Sequence, residues 1–211
     1  MKTYGVDHFT IEDILEIAKD SKKAKLDKKY KQQINQSQKN VRKIVESDKT
    51  VYGINTGFGP LCDVKISEEE TALLQHNLII SHAVGVGKPI DKELSKIMMI
   101  AKVHALSKGF SGVSLEVIER LLLLLEKDII PVVPEQGSVG ASGDLAPLAH
   151  LVLPLLGLGK VWENNKIEDT AKILKKHKIE PLKRGPKAGL GLINGTQFIL
   201  AHAIKGLEQI E

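Results

Sequence analysis

The sequence contains a single cysteine, Cys62, so no disulfide can form within the chain, and this suits a reducing compartment. The N-terminus lacks the basic segment followed by an apolar one that is typical of a secretory signal peptide. No apolar run reaches the length that crosses a membrane. Together these absences predict a soluble, cytoplasmic protein that is not attached to a membrane.

The composition is that of an ordinary globular protein. Its 211 residues are enough for one sizeable core or two small domains without support from disulfides or metals. Apolar residues make up 42% of the chain and charged residues 27%, which is the balance of a soluble fold. The formal charge of +4 is modest, and the lysines are spread over amphipathic segments. This pattern indicates solvated helix faces rather than a nucleic-acid groove, so we predict no nucleic-acid partner.

Apolar residues recur at helical spacing over most of the chain, which predicts a mainly α fold. Thr10 with Asp13 and Ser67 with Glu70 form capping-box pairs at two of the expected helix starts. The segment 161–168 has a central Asn-Asn pair and predicts a short, exposed β-hairpin. The predicted helices cover, in chain order, 10–20, 27–47, 67–82, 91–108, 115–127, 145–156, 170–178 and 196–211.

A loop rich in small residues, QGSVGASGDLAPLAH at 136–150, separates two of the apolar segments. Its glycines permit a positive φ, so the chain can turn back on itself without a steric penalty from Cβ. In a tight enough bend, the Gly143 amide nitrogen could attack the Ala141 carbonyl carbon and close a five-membered ring. Loss of water from this ring and from the Ser142 side chain would leave an exocyclic methylene, which is a strong electrophile. Such a loop would be a cofactor made from the chain itself.

Two plainer interpretations of this loop stand beside the first. Ala-Ser-Gly is a common tripeptide in ordinary loops, and a glycine-rich turn before a helix can bind an anion. No Lys-Ser or Lys-Thr follows the last glycine, so the segment is not a phosphate loop of the Walker type. Asp144 would also set a carboxylate where a phosphate should lie.

The longer run GSVGASGDLAPLAH resembles the signature of the aromatic amino acid ammonia-lyase family. Members of that family build a methylidene-imidazolone group (MIO) from Ala-Ser-Gly. The resemblance therefore implies an MIO formed from Ala141, Ser142 and Gly143, with no metal and no dissociable cofactor. Two roles are open for Asp144: it caps the helix that it precedes, or, as the resemblance implies, it assists the backbone cyclisation by orienting or polarising the loop.

A segment rich in glycine at 51–63 breaks the helical pattern, and functional residues concentrate in such loops. Tyr52 lies near its start. A phenol with a pKa of about 10 is a poor base unless its surroundings lower that pKa, so a locally packed tyrosine is the plain interpretation. The run YGINTGFG resembles a second family signature, which implies that Tyr52 is the base or acid at the β-carbon of the substrate. Cys62 has no evident partner that would stabilise a thiolate, and we interpret it as a small packing residue.

The run GLGLINGTQ at 189–197 resembles a third family signature. Without that resemblance, Asn194 before Gly195 is typical of a turn or a helix cap. The resemblance implies that Asn194 and its neighbouring amide hold the ring oxygen of the electrophile and position the substrate amine, which is an oxyanion-type role. It also assigns Gly195 a supporting part in forming the cofactor. Two positions depart from the family: Ala188 replaces a common acidic residue, and Gly191 replaces a common alanine.

His82 ends a predicted helix, where a histidine is often only a favourable partner of the helix dipole. The pair Ser81-His82 resembles the histidine-specific members of the family, so His82 is the candidate for recognising the imidazole of the substrate. The resemblance then implies elimination of ammonia from L-histidine to give trans-urocanate. Phenylalanine or tyrosine ammonia-lyases and MIO aminomutases are the alternative, because they differ mainly at His82 and in parts of the family that this sequence does not contain.

The resemblance covers the whole sequence but only the N-terminal part of a family member. We therefore expect one truncated N-terminal domain over 1–211, without the C-terminal helical bundle of the family homotetramer. Family active sites are shared between subunits, so the expected partner is a second copy or a complementing C-terminal chain, and the chain alone should have low or no activity. A non-catalytic assembly or binding module is a further alternative, favoured by the truncation, by Ala188 and by Ser114, where the family commonly has Arg. Against it, the tyrosine, Ala-Ser-Gly and asparagine signatures are all intact.

Overall fold

A computed structural model of the chain describes residues 1–47, 49–57, 66–182 and 189–210, with the backbone alone at positions 68 and 69. Cys62 and Ala188, which were both interpreted from the sequence, lie outside these described residues. Among the helices described, none is both long enough and apolar enough to cross a membrane.

The described chain is mainly helical, which confirms the predicted fold class. Both predicted capping boxes are present: Thr10 and Ser67 each accept a backbone bond from the third helical residue, whose carboxylate bonds back to the cap. Most helices begin and end close to the predicted bounds; the exceptions are a short helix over 189–193, which was not predicted, and the helix that starts at Leu145, which ends early. The helices are α1 Ile11–Lys19, α2 Lys28–Glu46, α3 Glu68–His82, α4 Lys92–Ser107, α5 Leu115–Glu126, α6 Leu145–Val152, α7 Thr170–Lys176, α8 Gly189–Ile193 and α9 Gln197–Ile210.

Short strands pair between the helices. They are β1 Lys2–Thr3, β2 Ala24–Lys25, β3 Val86–Pro89, β4 Ile130–Pro131, β5 Pro134–Gln136, β6 Lys160–Glu163 and β7 Lys166–Asp169. β1 and β2 pair in parallel, β3 pairs antiparallel with β5, and β6 lies between β4 and β7. The predicted hairpin is β6–β7, and its Asn164 and Asn165 both have a positive φ, as a two-residue turn of type I′ requires. The β3–β5 pair was not predicted, and it joins the segment after α3 to the strand that leads into the Ala-Ser-Gly loop.

The helix predicted over 145–156 is shorter than expected. α6 ends at Val152, and the chain continues as a 3₁₀ turn over Leu153–Leu156. Pro154 lies at the start of this turn; it has no N–H to donate, and its ring clashes with the carbonyl four residues earlier in an α-helix. Gly157, with a φ of 74°, then ends the turn.

Helix α4 runs through the centre of the core. Its residues 97–103 are all buried, on every side of the helix, because α1, α5 and α9 pack around it. An ion pair of 2.9 Å between Lys205 Nζ and Glu93 Oε2 also joins α9 to α4. This central position brings a charged residue, Lys102, into the core beside the end of α8.

Candidate active site

The Ala-Ser-Gly loop leaves β5 and enters α6 through a series of bends. Gly137, Gly140 and Gly143 have φ values of 149°, 73° and 105°, as the glycine pattern predicts. Ala141 and Ser142 are exposed, whereas Gly143 is half-buried. The loop therefore presents its central serine to solvent and turns inward at Gly143.

Gly143 lies directly against Gly195. A Cβ at position 143 would be 2.5 Å from the Gly195 carbonyl oxygen, so only a glycine fits there without movement of the backbone. The next amide, Asp144 N–H, donates to the same oxygen at 2.7 Å. Two of the three segments that carry the family resemblance are thus in contact through their backbones.

Asp144 is fully buried. Its carboxylate binds the start of α9 and not the start of α6, the helix that it precedes. Asp144 occupies the N-cap position of α6 but makes no side-chain cap bond there, so the first of the two roles left open by the sequence, capping of its own helix, is wrong. Its Oδ2 instead accepts the Phe198 and Ile199 amides at 2.9 and 3.1 Å, and its Oδ1 accepts the Ser138 hydroxyl at 2.7 Å. These amides are donors that the first turn of α9 leaves free. The carboxylate therefore fixes the start of α9 to the loop.

Tyr52 and Asn194 line the same cavity, of about 390 Å³. Tyr52 is 60% exposed and begins the turn that follows α2. The Gly53 backbone lies so close to Leu190 that a Cβ would come within 2.7 Å of its Cδ2 atom. The cavity is lined by Val41, Tyr52, Gly53, Ile54, Phe110, Ser111, Gly112, Leu190, Gly191 and Asn194. Ala141 and Ser142 are not among these lining residues.

The turn that carries Asn194 is held by two residues that sequence reasoning missed. Gln75 Oε1, on α3, accepts the Leu190 amide at 3.1 Å at the start of α8. Lys102 Nζ donates to the Asn194 carbonyl at 2.8 Å at the other end. Burial lowers the pKa of the Lys102 ammonium to about 7. One feature of the sequence indicates that Lys102 is buried: it lies four residues after Met98, on the apolar side of its helix.

His82 is the last residue of α3 and is half-buried. Its Nδ1 donates to the Leu78 carbonyl at 2.8 Å, and the Ser81 hydroxyl lies 3.2 Å from the same nitrogen. His82 is not among the residues that line the Tyr52–Asn194 cavity. The structure therefore does not bring His82 into that cavity.

The segment just after His82 packs against the Ala-Ser-Gly loop. His150 Nε2 accepts the Gly85 amide at 3.0 Å, and burial lowers the pKa of this imidazole. A Cβ at Gly137 would lie 3.0 Å from Gly85 Cα, so the two glycines are in close contact. His150 received no role from the sequence, yet it anchors this segment beside the loop.

Two departures from the family pattern have a structural use here. Ser114 is the N-cap of α5, and its hydroxyl accepts the Val117 amide at 3.4 Å. Gly191 lies tightly against the α4–α5 connection, because a Cβ would come within 3.1 Å of Val113 and 3.2 Å of the Ser111 carbonyl.

In the part of the chain that the structure describes, no three His, Cys, Asp or Glu side chains are grouped so as to hold a metal ion.

Known proteins resemble this chain over nearly its whole length. The family profile described as "Aromatic amino acid lyase" matches residues 9–211. The histidine ammonia-lyase of Streptococcus sanguinis is 44% identical over 193 residues, which are 92% of this chain and 38% of that protein. The histidine ammonia-lyase of Shouchella clausii is 50% identical over 192 residues, which are 91% of this chain and 38% of that protein.

The same likeness holds at the level of structure. The crystal structure of histidine ammonia-lyase from Trypanosoma cruzi superposes with a TM-score of 0.85 at 34% identity, covering 98% of this chain and 40% of the other. The chain spans 38% of the length of the two relatives from Streptococcus sanguinis and Shouchella clausii. Because the signatures, the helical fold and the family profile agree over nearly all of its residues, the chain belongs to the aromatic amino acid lyase family.

Proposed function

We propose that this chain supplies an electrophile-forming loop and a tyrosine–asparagine pocket to a histidine ammonia-lyase, which eliminates ammonia from L-histidine to give trans-urocanate. The observation that carries the proposal is the contact of Gly143 with Gly195, because Gly195 follows Asn194 and Asn194 lines the pocket. The identity of 44% and 50% to two histidine ammonia-lyases supports L-histidine as the substrate.

The backbone of the loop supports the formation of an MIO group. Gly143 has no Cβ and a φ of 105°, so no side chain of its own hinders attack by its amide nitrogen on the Ala141 carbonyl carbon. The first water lost takes the Ala141 oxygen with the amide hydrogens of Gly143 and Ser142, and a C=N bond forms. The second takes the Ser142 hydroxyl with its Cα hydrogen, which leaves the exocyclic methylene. No oxidant or reductant is needed.

The pocket residues have complementary roles. Once formed, the electrophile supplies an acceptor for the amine or the ring of the substrate, so that ammonia becomes a leaving group. The Tyr52 hydroxyl takes the proton from the β-carbon, and the Asn194 side-chain amide stabilises developing charge by donating a hydrogen bond. The cavity that both residues line, of about 390 Å³, is within the size range of small-molecule sites.

His82 is proposed to recognise the imidazole of the substrate. Because its Nδ1 donates to Leu78, its Nε2 in the neutral ring accepts hydrogen bonds, and a substrate imidazole N–H is a suitable donor. His82 does not line the Tyr52–Asn194 cavity. To reach His82, the substrate must therefore extend from that cavity toward the end of α3. A homo-oligomer, or a second chain that completes the site, is proposed as the partner.

The intact mass of the purified, denatured chain tests the proposal. We expect a mass short by two water molecules, and digestion should assign the loss to the peptide that contains residues 141–143. Ser142→Ala is the matched control, because without the hydroxyl the second water cannot be lost.

An unmodified mass for the chain would contradict the proposal that this loop forms the electrophile. A loss of two waters that digestion assigns to any other peptide would contradict it as well. In either case the family fold would be present without the cofactor that its chemistry needs.

A further inference from the structure

Lys102 is a charged residue in the centre of the core. Its exposed fraction is 2%, and it lies within the fully buried stretch 97–103 of α4. Among the described residues, its ammonium has one hydrogen-bond acceptor, the Asn194 carbonyl oxygen at 2.8 Å. Burial of an ammonium is costly, and an apolar side chain of similar volume often stabilises a core at least as well. Stability alone therefore does not account for a lysine at this position.

The acceptor is a carbonyl at the end of a helix. The Asn194 amide donates to the Leu190 carbonyl at 2.9 Å as the last bond of α8, and the chain then leaves the helix at Gly195. Carbonyls at a helix C-terminus have no partner within the helix and carry partial negative charge, so a cation is their favoured partner. Lys102 Nζ donates to this carbonyl from the neighbouring helix α4.

Lys102 binds the peptide group that joins Asn194 to Gly195. Both of these residues are part of the candidate site. On one side, Asn194 lines the cavity that Tyr52 also lines. On the other, the Gly195 carbonyl accepts the Asp144 amide at 2.7 Å and lies against Gly143. A rotation of this peptide would move the Asn194 side chain and the support of the loop together.

We propose that Lys102 is a positioning residue: its Nζ fixes the peptide between Asn194 and Gly195, and so sets both the Asn194 side chain in the pocket and Gly195 against the Ala-Ser-Gly loop. The inference rests on the proposed function, which identifies this pocket and this loop as an active site. It assigns no contact between Lys102 and a substrate.

Hydrogen exchange of the full 211-residue chain, followed by mass spectrometry, tests this role. We expect Lys102→Met to exchange about fivefold faster or more in peptides that cover 142–145 and 194–199, because the Asp144, Phe198 and Ile199 amides depend on this arrangement. The β6–β7 hairpin should be unchanged, and the unfolding midpoint should stay equal or rise. Where the chain forms the electrophile, the fraction that has lost two waters should fall severalfold.

Lys96→Met is the matched control. Lys96 lies on the same helix and is also largely buried, but it pairs with Asp128, which follows α5. The same change there should leave exchange in both loop peptides as in the unmutated chain.

Unchanged exchange in Lys102→Met would overturn the proposal, and so would faster exchange that includes the hairpin, since Lys102 would then be a general core residue. If Lys102→Met does not fold, NMR of the unmutated chain decides the question. A coupling through the hydrogen bond between Lys102 Nζ and the Asn194 carbonyl carbon supports the proposal, and its absence overturns it. An unmodified mass of the unmutated chain contradicts the proposed function, while the exchange comparison still tests Lys102.

Discussion

Asp144 is a buried carboxylate that joins three parts of the chain. Its oxygens accept bonds from Ser138 in the loop and from Phe198 and Ile199 at the start of α9, while its own amide donates to Gly195. Hydrogen bonds to a charged, buried acceptor are among the stronger ones in proteins. The side chain therefore contributes to stability as well as to the shape of the loop.

We expect Asp144→Ala to lower the free energy of unfolding by about 2–4 kcal/mol, because it leaves two backbone donors and one hydroxyl without their acceptor. Asp144→Asn keeps one oxygen in place and should cost less. Denaturant unfolding followed by circular dichroism measures both changes.

Asp91→Ala is the matched control, since Asp91 is the N-cap residue of α4 but makes no side-chain cap bond. It should change the free energy of unfolding by about 0.5 kcal/mol or less. Equal losses for Asp144→Ala and Asp91→Ala would mean that the three acceptor bonds of Asp144 contribute nothing measurable.

The partners of single polar residues were the part that could not be predicted from the sequence. Asp144 was expected at a helix N-terminus, and it is there, but its carboxylate binds amides 54 and 55 positions away. Lys102 and the Asn194 carbonyl are 92 positions apart. Local patterns carry no information about such pairs, because tertiary packing alone brings them together.

At the scale of elements, the glycines of the loop between β5 and α6 differ in whether the surrounding structure leaves space for a side chain. Gly140 and Gly143 both have positive φ, so any other residue is strained at either position. They differ in their surroundings, because a Cβ at 140 meets nothing within 4 Å, whereas one at 143 meets the Gly195 backbone at 2.5 Å.

We expect Gly143→Ala to lower the free energy of unfolding by about 2–5 kcal/mol, through strain and through the clash with Gly195. Gly140→Ala in the same loop has the strain alone and should cost about 1–2 kcal/mol. Thermal or denaturant unfolding compares the two. A loss at Gly140 as large as that at Gly143 would show that the contact with Gly195 is not tight.

The elements themselves were largely predictable. Apolar spacing and the capping boxes at Thr10 and Ser67 predicted helices whose bounds agree closely with α1 and α3, and the Asn-Asn pair predicted the β6–β7 hairpin. These signals come from residues close together in the sequence, so they can be recognised without knowledge of the fold. The β3–β5 pair was missed because its strands are short and their partners lie far apart in the chain. The apolar spacing continues to Leu156, but α6 ends at Val152 because Pro154 cannot continue an α-helix.

For the whole molecule, the segments that resemble the family are held together by a few long-range polar contacts around a central helix. Lys102 on α4 holds the Asn194 turn, and His150 on α6 holds Gly85 beside the start of the loop. In both cases burial lowers the pKa of a basic group. Deprotonation is therefore favoured in the folded chain relative to the unfolded one, and stability should depend on pH.

His150 makes this dependence testable below neutral pH. Its Nε2 accepts the Gly85 amide, which requires the neutral ring, and its folded pKa lies below the ordinary value of 6.5. As pH falls below 6.5, the unfolded chain takes up a proton at this position before the folded chain does, so the free energy of unfolding decreases. The contribution is fully present above about 6.5 and is lost as pH falls through the lowered folded pKa.

We expect the unmutated chain to lose more stability between about pH 7 and 5 than His150→Gln does. The glutamine oxygen can still accept the Gly85 amide, but it does not titrate in this range. His104, whose pKa burial also lowers, is present in both proteins, so its effect cancels in the difference. Denaturant unfolding at several pH values measures the two slopes. Parallel slopes would mean that His150 takes up its proton equally well in the folded chain, and that its bond to Gly85 does not anchor the segment beside the loop.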